Sequence, residues 1–235
     1  MTLRGAAIQW FAALFMIGSG HVFAEAQQPS VPERVAELKA ALAASQASLR
    51  QYEWMETTVT SLKGEEKSRK QQRCYYGADG VLQKVAVSAS PPPEQKRGLR
   101  GRIIENKKEE LSDYMKRAVM LVKSYVPPDP ARIQAVRDAG KVTIEMLEPG
   151  KRVRLNFPAY LKPGDNLGVE FDLVSNRPLA ITVSTYLDDP KEAVVLNARM
   201  GQLTDGTTYA SDITVVAKAK DLQVAVQNSG YRKIT

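Results

Sequence analysis

The residues able to do chemistry are few in this chain, and their spacing is poor for it. The one histidine is His21, inside an N-terminal stretch read below as a leader that is removed. Without it no imidazole is left to relay a proton to a serine or cysteine, or to ligate a metal. Cys74 is the one cysteine, so no disulfide forms within the chain. It sits in Arg73-Cys74-Tyr75-Tyr76 and reads as a small, inward-facing buried residue beside aromatics. A redox-active thiol or an intermolecular disulfide is the functional alternative. The acidic pairs are Glu65-Glu66, Glu109-Glu110 and Asp188-Asp189. Neighbours on a strand point to opposite faces, so adjacency makes no carboxylate dyad. Neither a calcium-loop pattern nor a glycine-rich phosphate loop leading into a helix occurs. The residues therefore name no catalytic group, no metal site and no cofactor. Carboxylates far apart in sequence keep a histidine-free hydrolase as a third reading.

Two other sets of residues suggest binding. Lys63, Lys67, Arg69, Lys70 and Arg73 crowd one predicted hairpin, and Lys96, Arg97, Arg100 and Arg102 follow it. Together they form a candidate basic surface for anionic headgroups. The plainer reading is a solvated strand whose cations block edge-to-edge association. The second set is apolar and aromatic: Tyr52, Trp54, Met146, Phe157, Tyr160, Leu161, Phe171 and Tyr186. These are core by default and the lining of a ligand cavity by hypothesis. Alternation puts Tyr52 and Trp54 on one face of their strand. Trp54 and the Tyr160-Leu161 loop are the best candidates for a cavity mouth.

The elements that must position these residues are legible in outline. Met1 to Ala24 has one early positive charge, an apolar run from Ala6 to Ile17 and small residues at Val22 and Ala24. It reads as a secretory signal peptide cleaved after residue 24, with a second register after 26. The remainder, 27–235, reads as a single periplasmic or secreted domain. The formal charge is +7, which in an exported chain points to an anionic membrane surface rather than nucleic acid. Ser30 and Glu33 form a capping box for an alanine-rich helix over Val31–Arg50, whose stripe is Val35, Leu38, Leu42 and Leu49 with Ser45 in the gap. Three strands follow as a meander: Tyr52–Leu62, Glu66–Tyr76 and Val81–Ser88. Pro91 to Arg102 is a linker, lid or membrane-facing loop. A second helix runs from about Ile103 to Tyr125, with a stripe of Ile104, Leu111, Met115, Ala118, Val122 and Tyr125. Asp129-Pro130 starts a short third helix that Gly140 ends. The last third, Lys141 to Ile234, alternates between strand-forming runs and polar turns. The crossovers are too short for helices, so the sheet is antiparallel. The fold class is α+β: a curled antiparallel sheet of about ten strands, an incomplete β-barrel, with two long helices and one short helix on its concave side.

This order of elements resembles the LolA-like superfamily of periplasmic lipoprotein carriers, lipid-binding cell-wall lipoproteins and anti-sigma-regulator sensor domains. The resemblance spans Val31 to Ile234 and is one of topology: a helix running into the Tyr52 hairpin, then the Ile103–Tyr125 helix before the final meander. It implies an apolar cavity between sheet and helices. The implied function is a monomeric, non-enzymatic envelope protein. It would hold a hydrophobic small molecule, a lipid or the acyl chain of a lipoprotein, as in outer-membrane lipoprotein sorting. The alternative is an envelope sensor or protein-interaction domain of the same fold with a filled core.

Overall fold

The computed structural model describes residues 40, 43–89, 99–175 and 177–234. The predicted leader, the predicted capping box at Ser30 and the basic residues Lys96 and Arg97 lie outside them, as does most of the predicted first helix, of which residues 43–49 (α1) are described. The chain continues as β1 (Tyr52–Leu62), β2 (Glu65–Tyr76), β3 (Leu82–Ala89), α2 (Leu99–Lys123) and α3 (Pro130–Asp138). Seven more strands follow: β4 (Thr143–Glu148), β5 (Arg152–Pro158), β6 (Asn166–Asp172), β7 (Arg177–Tyr186), β8 (Ala193–Gln202), β9 (Thr208–Ala217) and β10 (Leu222–Lys233).

All ten strands join one curled, unclosed sheet in the order β3-β2-β1-β10-β9-β8-β7-β6-β5-β4. Every neighbouring pair is antiparallel. The first and last strands of the chain are thus paired inside the sheet, and β3 and β4 are its free edges. After β3 the chain must travel from one edge to the other, and α2 and α3 make that journey. A helix of 25 residues spans about 37 Å.

Its route can be followed from its contacts. The Tyr125 hydroxyl, just past the C-terminus of α2, bonds Asp165 in the β5–β6 loop and Thr185 on β7. Arg117 pairs with Asp188 in the β7–β8 loop. Glu110 pairs with Lys220 at the β9–β10 turn. Moving toward its N-terminus, α2 therefore crosses one rim of the sheet from β6 to β10.

One inner face carries the core because β5 to β9 alternate over most of their length, with register shifts at Glu170–Phe171 and Arg199–Met200. Leu155, Val169, Ile181, Ala198 and Ile213 sit opposite one another across β5 to β9. So do Phe157, Leu167, Val183, Leu196 and Val215. Met115, Ala118, Val122 and Tyr125 from the α2 stripe pack on this face, with Ile133 and Val136 from α3. Ala118 is completely buried, and its small side chain lets helix and sheet approach closely. The α3 start is as the sequence predicts: Asp129 accepts from the Ala131 N–H and Pro130 opens the helix. Gly140 follows the C-cap at φ +67°, where a side chain would be strained. Helix α2 begins at Leu99, four residues before its predicted start.

Candidate functional site

The predicted cavity residues fall into three places. Phe157, Tyr160 and Phe171 are buried in the core beneath α2 and α3. Leu161 is partly buried against the same cluster. Met146 stands on the free edge strand β4, 57% exposed, on the core-facing side by its register with Val153. Tyr186 is half-buried, with the Lys162 ammonium 3.8 Å from its ring centre. Tyr52 and Trp54 belong elsewhere, on the inner face of β1.

The Tyr160-Leu161 loop is held shut by one carboxylate. Asp165 is 3% exposed. It accepts the N–H groups of Tyr160 (2.6 Å), Leu161 (3.0 Å) and Lys162 (2.9 Å), and the Tyr125 hydroxyl (2.6 Å). Tyr125 in turn accepts from the Thr185 hydroxyl at 2.7 Å. The Asp129 N–H donates to the Tyr160 hydroxyl at 2.6 Å. Burial and the bond to Asp165 push the Tyr125 phenol well above its usual range. Four donors satisfy the buried charge. The network clamps the end of α2 to the β5–β6 loop, which is a structural task.

The predicted basic hairpin is largely neutralised. Lys67 pairs with Glu65, Arg69 with Glu66 and Arg73 with Glu53. Lys63 borders an open depression of about 540 Å³ at the β1–β2 turn, with Ser61, Asp221 and Gln223. None of the predicted cavity residues lines it. Arg100 and Arg102 lie in the first turn of α2.

The part of the inner face that α2 and α3 leave alone is the candidate site. Among the described residues their main contacts are with β8, β9 and β5, and α1 meets the start of β9, where buried Ser45 accepts the Thr208 N–H. At the lower end is an aromatic bay. Trp54 stacks on Tyr231 (5.4 Å between ring centres) and tilts against Tyr76 (6.0 Å). Tyr231 also meets Tyr209 (4.4 Å) and Tyr52 (6.4 Å). The Trp54 indole donates to Asn228 and the Tyr52 hydroxyl to Asp205. That bond, with others from Thr207, holds the Asp205 carboxyl below the carboxylate range. Glu56 is paired across the face with Lys84 at 2.6 Å. Cys74 is fully buried beside them, and burial raises its thiol pKa. Above the bay, Thr58, Thr60, Val224 and Val226 continue the inner face as half-buried residues. Lys70, opposite Thr58, shares that face and is exposed, with no carboxylate partner among the described residues.

Tyr231 was not predictable from alternation. Counting from Val224, Val226 and Asn228 aims it outward. A bulge at Gly230 (φ +65°) adds one residue to β10 opposite Trp54 and turns Tyr231 inward. Tyr209 needs a second device: its ring lies over Gly201, where a Cβ would sit 2.7 Å from the ring.

No protein-family model and no curated protein matches the chain. Among solved structures it is similar to a LolA superfamily protein from Nitrosomonas europaea, at 10% identity and TM-score 0.33, covering 84% of this chain and 94% of that one. A DUF1329 family protein from Desulfovibrio piger is similar at 9% identity and TM-score 0.33, over 83% and 92%. So is the Pseudomonas aeruginosa MucA/MucB complex, at 9% identity and TM-score 0.22, over 86% and 99%. The likeness is one of fold, and no site residue is carried across at these identities.

Proposed function

We propose that this chain is a non-catalytic binding protein of the bacterial envelope. It holds a hydrophobic ligand, a lipid or the acyl chain of a lipoprotein, on the inner face of β1, β2, β3 and β10. The observation that carries this reading is the division of the inner face. One half is sealed by α2 and α3. The other ends in five aromatic rings and a wall of half-buried threonines and valines. Burying apolar surface there contributes about 25 cal/mol per Å². The carboxylates agree with a binding role, Asp165 and Glu56 being buried and Asp205 exposed. Asp165, Glu56 and Asp205 are each engaged by donors or a lysine, so none is a free general acid or base.

The test uses the chain purified from the envelope without detergent. Trp10 and Trp54 are the only tryptophans, and Trp10 lies in the leader, so the processed protein reports from the bay alone. A lipid released on organic extraction, or saturable quenching of Trp54 by a brominated fatty acid, supports the reading. A bare protein whose Trp54 emission ignores the fatty acid ends it.

A second reading rests on the free edges. Val85 and Val87 on β3, and Ile144 and Met146 on β4, are exposed apolar residues on the two edge strands, each with one free side. An interaction domain would use such edges to add a partner strand.

A further inference from the structure

The depression at the β1–β2 turn lies on the face of the sheet opposite the core. Ser61, Gln223 and Val216 form one row across β1, β10 and β9. The next row is Leu62, Leu222, Ala217 and Val194, and it packs in the core. Alternation therefore turns Ser61, Gln223 and Val216 outward. They line the space of about 540 Å³ together with Lys63, Gly64 and Asp221. A volume of that size suits a small molecule.

Two left-handed turns set the rim. Lys63 and Gly64 alone join β1 to β2, at φ +53° and +78°. Hairpin turns with two positive φ values favour asparagine, aspartate or glycine, so the turn itself does not call for a lysine in its first place. Asp221 (φ +49°) ends the short 3₁₀ turn Lys218–Lys220, and its carbonyl accepts the Lys63 N–H at 2.8 Å. The backbone thus locks a cation and an anion side by side.

Their side chains nevertheless do not pair. Lys63 and Asp221 have no side-chain hydrogen bond or ion pair among the described residues, and the same holds for Ser61 and Gln223. Charges just outside the depression behave differently. Glu65 pairs with Lys67, Glu66 with Arg69 and Lys220 with Glu110. A lysine, an aspartate, an amide and a hydroxyl therefore line one space with their polar groups unused. Half-buried Val216 adds an apolar patch to its floor.

We infer that this depression binds a small zwitterion, a free α-amino acid with an apolar side chain. Lys63 takes the carboxylate, Asp221 the ammonium, and Val216 the side chain, with Ser61 and Gln223 as hydrogen-bonding partners. The site is on the outer face and stands apart from the proposed lipid site.

The test follows the amides of Lys63, Gly64, Asp221 and Gln223 by NMR in the full processed chain. L-leucine shifts them saturably. N-acetyl-L-leucine lacks the ammonium and L-leucinamide lacks the carboxylate, and each binds about fivefold more weakly, the scale of an exposed ion pair. D221N removes the difference between L-leucine and its acetyl form, and K63N removes the difference between L-leucine and its amide. Asparagine suits both left-handed positions, so the two variants keep the wild-type spectrum away from the turns. The absence of any shift at these amides with L-leucine overturns the inference. So does equal binding of the three probes by the wild type, and so does equal weakening of all three by either variant, because the turn rather than the charge would then be at work. O-phosphoethanolamine carries both charges without an apolar side chain and binds more weakly than L-leucine. If it binds more tightly, the amino-acid assignment falls and the site holds a headgroup.

Discussion

Asp165 is the residue on which the closed half of the molecule turns. A carboxylate 3% exposed survives burial only because three peptide N–H groups and a phenol solvate it. Removing it leaves several buried donors without an acceptor. Asp165→Ala is expected to cost about 3 kcal/mol in urea unfolding, and Tyr125→Phe about 1 kcal/mol. The double variant loses less than their sum, because both act through one network. At the open end the informative carboxylate is Asp205. Its pKa is depressed first by the Tyr52 hydroxyl, then by Thr207 and by Lys233. A depressed acid contributes stability that is full above the unfolded pKa, about 4, and is lost as pH falls through the folded value. Tyr52→Phe removes the leading donor. The Asp205 carboxyl, followed by NMR, then titrates closer to the ordinary range, and the variant loses less stability than the wild type between pH 4 and lower values. An unchanged Asp205 titration in the variant refutes that assignment.

At the scale of the element, strands were legible and their partners were not. Alternation marks β1 from Tyr52 to Leu62 residue for residue, because each inward position must be apolar or paired. The α2 stripe was equally plain from Leu111 to Tyr125. Alternation says nothing about which distant strand lies alongside, so the meeting of β1 with β10 and the half of the face that α2 covers stayed hidden. The bulge at Gly230 and the ring of Tyr209 over Gly201 were hidden for the same reason: each is set by a neighbour far along the chain. The stripe also gave no sign that α2 outruns its support. Packing rather than propensity stabilises most helices in proteins. Amide exchange is therefore expected to divide α2 at Leu111, fast before it and slow after it. Uniform protection along the helix would show that residues 105–110 are as firmly held as the packed turns. The same reasoning predicts that Gly201→Ala, by pushing Tyr209 off its seat, disturbs Tyr231 and shifts Trp54 emission while leaving the α2–sheet core intact.

The whole molecule is built from its ends inward. β10 is the last strand made, yet it sits between β1 and β9 and completes both sides of the sheet. Pairing Tyr52 with Lys233 closes most of the described chain. Contacts so distant in sequence fold slowly, since the loop entropy is lost before they form. They also make the sheet indivisible in the middle and divisible only at its edges. A chain ending at Asp221 loses β10, which strips β1 to β3 from the rest and uncovers the face beneath Leu222 and Val224. It is expected to show no cooperative urea transition. At the β3 edge, Val85 is exposed and its strand has one neighbour. Val85→Lys there is expected to change stability by no more than about 0.5 kcal/mol, and a lysine on an unpaired edge opposes strand addition. A cooperative transition in the truncated chain would show that β4 to β9 fold as a unit without β1 to β3. Trp54, Glu56 and Lys70 would then belong to a piece that does not fold with the core beneath α2 and α3, and the aromatic bay would lose Tyr231 with β10.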